Sequence, residues 1–315
     1  NNIIFLSSSN GLGSANESEG NFIFSDFEDD FLPEGGNPSL VINNDIIAVS
    51  GSVTVFHGGA YHPAGTGVSY SINGGDTWNS VDGFNQNADW AKWTAQSPDG
   101  YPKISKLHSI LIDSMDKNHM YIGMSYGGVF ESEDQGKTWK PLNKGVEADY
   151  LKKSDAAYGH DPHRVVSHPY KPERLYQQNH CGIYRSADAG KSWTDISEKE
   201  GVANFGFAIA AHATNPEVAW VVPGISDMVR VAVDQSLCVC RTDDGGKTWE
   251  TFSEGLPQAS AFDITYRHAL DVNGDSLAFG TTTGNLYLSN DAGESWKALS
   301  NNLPMIHSVE FHTID

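Results

Sequence analysis

The chain has 315 residues, of which 39% are hydrophobic and only 19% charged, with 32 glycines and a formal net charge of −20. A surface this acidic argues against nucleic acid and against an anionic membrane as partners, because both need a basic face. No apolar run approaches the length that crosses a bilayer.

Taken in order, residues 2–8 read as an apolar strand, followed by a polar Gly/Ser/Asn/Glu segment and a second strand at 21–27. Residues 38–82 hold four strands, at 39–42, 46–56, 67–71 and around Trp78. Four further groups align on that one. Their first strands are predicted at 108–113, 163–168, 207–212 and 266–272, and their second strands start at His119, Arg174, Val218 and Ser276. One more first strand, 307–312, follows the last group. The chain starts at Asn1 without Met and shows no leader, as expected of a mature secreted or trimmed form. Cys181, Cys238 and Cys240 form neither a disulfide framework nor a CxxC pair, so buried free thiols are expected.

Each group carries the same eight-residue skeleton. It runs Ser71 to Trp78, Ser132 to Trp139, Ser186 to Trp193, Thr242 to Trp249 and Ser289 to Trp296, and reads Ser/Thr-x-Asp-x-Gly-x-Thr/Ser-Trp, with Asn73 in place of the first Asp. The copies start 47 to 61 residues apart, a spacing typical of propellers and repeat arrays. An Asp two residues before a Gly marks a tight turn: the carboxylate accepts backbone N–H bonds and the Gly supplies a positive φ. The Thr or Ser opens the return strand, and the Trp plugs the repeat. Five of the eight Trp residues sit in these boxes, so they read as core.

These boxes resemble the Asp-box, or BNR repeat, of sialidase-like β-propellers, which occurs in sialidases, sortilin-type receptors and photosystem assembly factors alike. The segments His160-Asp161-Pro162-His163-Arg164 and Tyr176-Gln177-Gln178-Asn179-His180-Cys181-Gly182 add a resemblance to bacterial BNR/YVTN-like repeat proteins often labelled exo-α-sialidase or glycosyl hydrolase. The resemblance runs from Ser71 to the C-terminus. It implies an all-β, single-domain propeller over 1–315. Six four-stranded antiparallel blades are expected, the last closed by the N- and C-terminal strands, with seven as the alternative. Pairing the orphan strand at 307–312 with the N-terminal strands removes exposed edges.

In a four-stranded meander the turns after strands one and three share one end, so the boxes mark the bottom. The top then carries the links at 83–106 and 142–162, long enough to suggest function, with Trp90, Trp93, Tyr101, Tyr150 and Tyr158, and the turn holding His57.

Three constellations at the top bear chemistry. His108, His163 and His307 occupy equivalent positions at the start of first strands, with His160 three residues before His163 and His180 in the top turn of the same blade; convergent imidazoles suit one divalent transition metal, for which His108, His163, His180 and His307 are the candidate ligands. Channel-mouth histidines that bind only water and backbone are the alternative. His163, His160 and Asp161 are the candidate catalytic groups. Of six arginines, Arg164 and Arg267 join Tyr158, Trp90 and His57 as candidate ligand-binding residues. The sialidase resemblance implies a three-arginine carboxylate clamp, a Tyr nucleophile assisted by Glu and an Asp acid/base, with Tyr158, Tyr266, Glu147, Asp161 and Asp263 available by type. The chain departs from that pattern: it lacks an Arg-Ile-Pro motif near the N-terminus, and its first arginine is Arg164. The expectation is a secreted or periplasmic propeller acting on a carbohydrate or other small polar ligand, hydrolytically or through a metal. The alternative is a non-catalytic propeller, sortilin-like or assembly-factor-like, that grips a ligand or a protein partner.

Overall fold

The computed structural model describes residues 2–8, 11–18, 21–24, 40–43, 46–49, 69–71, 79–93, 107–116 and 118–313, with side chains over 80–89, 92–93, 107–116 and 118–311. These residues form six four-stranded antiparallel sheets. The helical pieces are single turns such as Asp82–Asn85 and Trp90–Trp93, and none is long and apolar enough to cross a membrane. The chain divides into two compact units, residues 38–196 and residues 1–37 together with 197–315.

Residues 38–196 hold three sheets: Leu40–Asn43 to Asn79–Ser80, Leu107–Ile112 to Lys140–Pro141, and Pro162–His168 to Thr194–Asp195. Strands Met120–Met124 and Gly128–Ser132 are buried at every position, because a sheet lies against each face. Alternation sorts their side chains into two cores. Ile122 and Phe130 join Phe84, Trp93 and Trp139 on one side, while Tyr121 and Val129 join Val165, Leu175 and Trp193 on the other. Gly145, at φ +90, seats against the neighbouring box Trp; a Cβ there would lie 2.2 Å from the Trp193 carbonyl oxygen.

The other unit also holds three sheets: Gly206–Ala211 to Glu250–Phe252, Leu270–Asn273 to Lys297–Ser300, and a terminal sheet ordered Ile306–Thr313, Asn2–Ser8, Gly11–Ser18, Asn21–Phe24. The expected pairing of the two ends of the chain is present, with Ile3 opposite His312 and Phe5 opposite Glu310. The polar segment after Ser8 is itself a strand, paired on both sides. The strand expected at 266–272 begins only at Leu270, and Gly274-Asp275 forms the hairpin turn after it. Residues 25–39, 50–68 and 72–78, including the first box, lie outside the described residues.

The four described boxes share one hydrogen-bond scheme. In the first of them, the Ser132 hydroxyl donates to Asp134 Oδ1 (2.9 Å) and accepts from Gly136 N–H (2.8 Å), and Asp134 accepts from Thr138 N–H (2.8 Å) and Thr138 Oγ1 (2.7 Å). The boxes at 186, 242 and 289 repeat it. Two residues, not one, turn left-handed in each: Gln135 and Gly136, Ala189 and Gly190, Gly245 and Gly246, Ala292 and Gly293. The donors hold the box carboxylates below the ordinary aspartate range. At Asp244 the Thr248 backbone N–H leads, outweighing partial burial, and the pKa falls to about 2.

Candidate functional site

The upper end of a sheet is the end bearing the turn between its second and third strands. At the upper end of the 162–195 sheet, the first two strands pair Pro162 with Asn179 and Arg164 with Gln178. His163 is therefore an extra residue, a β-bulge, which leaves the ladder and re-aims its side chain. The same irregularity falls at His108, between Leu107 and Ser109, and at His307, between Ser308 and Ile306. A bulge also falls between Gly206 and Ile209, the stretch that holds Phe207. The three histidines expected to be equivalent thus share a backbone device that the sequence alone does not display.

Asp161 precedes the strand by one residue, and its carbonyl accepts the His180 N–H (2.9 Å), so the two face each other across the mouth of one hairpin. The structure brings Asp161, His163 and His180 together, with one ligand-type atom from each within 4.8 Å of the others. His180 Nδ1 stands 3.9 Å from Asp161 Oδ2, and the His163 and His180 rings meet edge to face at 5.6 Å. Asp161 and His163 are 5% and 2% exposed. The His180 side chain, on the turn, is 27% exposed, which leaves one open side.

His108 reaches in from the adjacent sheet. Its Nδ1–H donates to the Pro162 carbonyl (2.9 Å), and the same nitrogen lies 4.0 Å from Asp161 Oδ1. Tyr150, from the 142–161 link, packs its ring edge to face on His180 at 5.6 Å and donates its hydroxyl to the Gly159 carbonyl. Burial, with the Asp161 charge adding, pushes its ionisation far up, so it remains a neutral donor. Cys181 donates to Asp149, and burial pushes its thiol up to about 11, so it stays protonated.

The remaining candidates are placed as follows. His160 is fully buried, with its Nε2–H on the Ala156 carbonyl (2.7 Å), and burial lowers its pKa. Arg164 is half-buried on the bulged strand. Tyr158 packs against the core that holds Phe84 and Trp93. Trp93 lies in that same core and stacks on Phe84, so part of the long link after Gly83 anchors rather than reaches out. The Trp90 side chain, His57 and Tyr101 lie outside the described residues. His307 and Arg267 belong to the other unit. Burial lowers the His307 pKa. Arg267 and Arg230 both stack on Phe207, at 5.3 and 5.2 Å, and Arg230 also donates to the Tyr266 hydroxyl. A pocket of about 290 Å³ opens in that unit beside Phe205, Gly224 and Asp234.

The profile of the sortilin family (Sortilin, neurotensin receptor 3; Sortilin-Vps10) matches residues 127–261, a stretch that includes the hairpin of the three-residue cluster. No curated protein matches the chain. Among solved structures it is similar to the GH74 xyloglucanase from Xanthomonas campestris, with TM-score 0.53 and 16% identity over 94% of this chain and 43% of that one. A chain of a nidogen/laminin complex gives TM-score 0.59 and 7% identity over 99% and 98%. The chain is a β-propeller. An ancestral GH74 enzyme aligns less well, at TM-score 0.46 and 18% identity over 60% of this chain and 23% of that one. The chain spans less than half the length of both GH74 enzymes. At these identities the likeness concerns architecture, and function has to be argued from the site.

Proposed function

We propose that this propeller works through the upper end of the 162–195 sheet as a hydrolase-like enzyme on a carbohydrate or similarly polar small ligand, outside the cytoplasm, where a charge of −20 keeps a protein soluble in salt. The observation that carries the reading is the gathering of Asp161, His163 and His180 on a single bulged hairpin. Such a set holds a water and removes its proton, and its position on strands rather than on a wandering loop keeps the geometry fixed. Tyr150, kept neutral, supplies a hydrogen-bond donor and an aromatic face beside it. No arginine precedes Arg164 among the 315 residues, so the early member of a three-arginine carboxylate clamp is missing, which favours a neutral glycan over a sialoside.

The test is turnover of a panel of soluble glycans and aryl glycosides, sialosides included, by the wild type and His163→Gln. Turnover of a neutral glycoside that falls at least 100-fold in His163→Gln, with an unchanged melting temperature, is expected. Release of sialic acid would redirect the reading to the arginines.

The second reading, a binding propeller, draws on the sortilin-family match over 127–261. Ile225, Met228 and Val229 add an exposed apolar loop in the other unit. Capture of a defined peptide by a protein that turns over no glycan would favour it.

A further inference from the structure

We propose that Asp161, His163 and His180 form a binding site for a divalent transition metal, with zinc as the natural occupant. The proposal deepens the reading of this hairpin as the functional centre and rests on it only for the place, not for the reaction.

The spacing of Asp161 and His180 is that of two ligands on one ion rather than of a hydrogen-bonded pair. A His–carboxylate hydrogen bond closes to about 2.7–3.0 Å. Two nitrogen or oxygen ligands on one tetrahedral zinc, each at about 2.1 Å, stand about 3.4 Å apart. His180 Nδ1 and Asp161 Oδ2 are 3.9 Å apart, too far to share a proton and close to the spacing of two ligands on one ion. Ligand-type atoms of all three lie within 4.8 Å of one another, and the most exposed of the three, His180, sits on a turn.

The backbone prepares the arrangement. Asp161 and His163 flank Pro162, which begins the strand, and the bulge at His163 takes that residue out of the ladder. The Pro162 carbonyl between them is tied down by His108 from the adjacent sheet (2.9 Å), so the peptide that links two of the ligands has a fixed orientation.

The donor set selects the metal. Two imidazoles and one carboxylate suit zinc, cobalt, nickel or ferrous iron and disfavour calcium and magnesium, which take oxygen. Three protein ligands leave a position for water on the half-open side at His180, the pattern of catalytic rather than structural zinc, and a bound water there loses its proton near neutral pH.

Protein stripped with chelator is titrated with cobalt chloride, followed by its visible d–d absorption, and then with zinc chloride in competition. One equivalent of cobalt, displaced by zinc, is expected. Asp161→Asn, His163→Gln and His180→Ala should each weaken binding at least 100-fold, while Cys181→Ser leaves it unchanged and so excludes the neighbouring thiol. His180→Ala, on a turn, serves as the folded variant if the buried two unfold. Failure of the folded apo-protein to bind either ion at 100-fold excess, or binding untouched in His180→Ala, overturns the proposal. The titration needs no substrate. Glycan turnover lost in His163→Gln without metal binding would overturn the metal and leave the catalytic reading standing; metal binding without glycan turnover would do the reverse.

Discussion

The two ends of the sheets in residues 38–196 use histidine and carboxylate in opposite ways. At the lower end, His119 lies between Asp113 Oδ2 (3.0 Å) and Glu131 Oε1 (2.8 Å), both buried, and Lys140 completes Glu131 at 2.8 Å. Both ring nitrogens face carboxylate oxygens, and the cluster is closed. His168, at another lower turn, and His212, at a lower turn of the other unit, cap backbone N–H groups of the residues that follow them. At the upper end, His180 Nδ1 and Asp161 Oδ2 stand 3.9 Å apart, a spacing that admits an ion between them, with a ligand-type atom of His163 within 4.8 Å of both. The same side-chain types make a rivet at one end and an open grip at the other. At the top, the bulge at His163 takes one of the three side chains out of the ladder.

That contrast is sharpest under alanine substitution. His119→Ala leaves two buried carboxylates without their shared donor. A buried polar group left without a hydrogen-bond partner costs about 1–3 kcal/mol, and with two carboxylates affected a loss of about 3 kcal/mol is expected in urea unfolding. A loss below about 1 kcal/mol would mean that the lower cluster is not a rivet. The next largest effect belongs to the boxes, also at the lower end. Asp188→Ala removes the acceptor of Ser192 N–H and Ser192 Oγ and should cost about 1–2 kcal/mol. Asp188→Asn, which keeps one acceptor oxygen, should cost less.

A pH series sharpens the same end. An unfolded aspartate titrates near 3.9, and the folded Asp244 near 2. The folded value is the lower one, so its stabilisation is complete above about pH 4 and disappears as pH falls through about 2. The urea midpoint should drop over that window, and drop less steeply in Asp244→Asn. The smallest stability effect is expected at the top. His180→Ala should shift unfolding by less than about 1 kcal/mol, because the residue is partly exposed on a turn, while metal binding and turnover are lost. A large stability loss there would erase the distinction between the two ends.

Much of the architecture is legible in the sequence, because each box compresses a turn, a strand start and a core Trp into eight residues. The pairing of the chain ends is legible by subtraction, from one orphan strand at each end. The strand Gly11–Ser18 is not, because its polar, Gly-containing sequence has no apolar face to mark it. Its conformation comes from pairing on both edges, and strand propensity depends on such context. The second left-handed residue of each box is likewise invisible at Gln135, Ala189 and Ala292, where only Gly245 spells it out.

The site was legible in part. The shared position of His108, His163 and His307 follows from strand alignment, but the bulge beneath each is a property of register, which a single strand does not encode. The role of Asp161 beside His163 and His180 depends on the hairpin closing Asn179 onto Pro162. The burial of Trp93 depends on a helical turn inside a link that reads as loop.

The terminal sheet has a consequence for synthesis. Asn2–Ser8 lies between Gly11–Ser18 and Ile306–Thr313. On a ribosome moving at about 5–20 residues per second, the first of these strands therefore waits about 15–60 s for its outer partner to be made. Until then it presents an open edge to every other chain in the polysome, and the sheet that joins the ends of the propeller is the last to be completed.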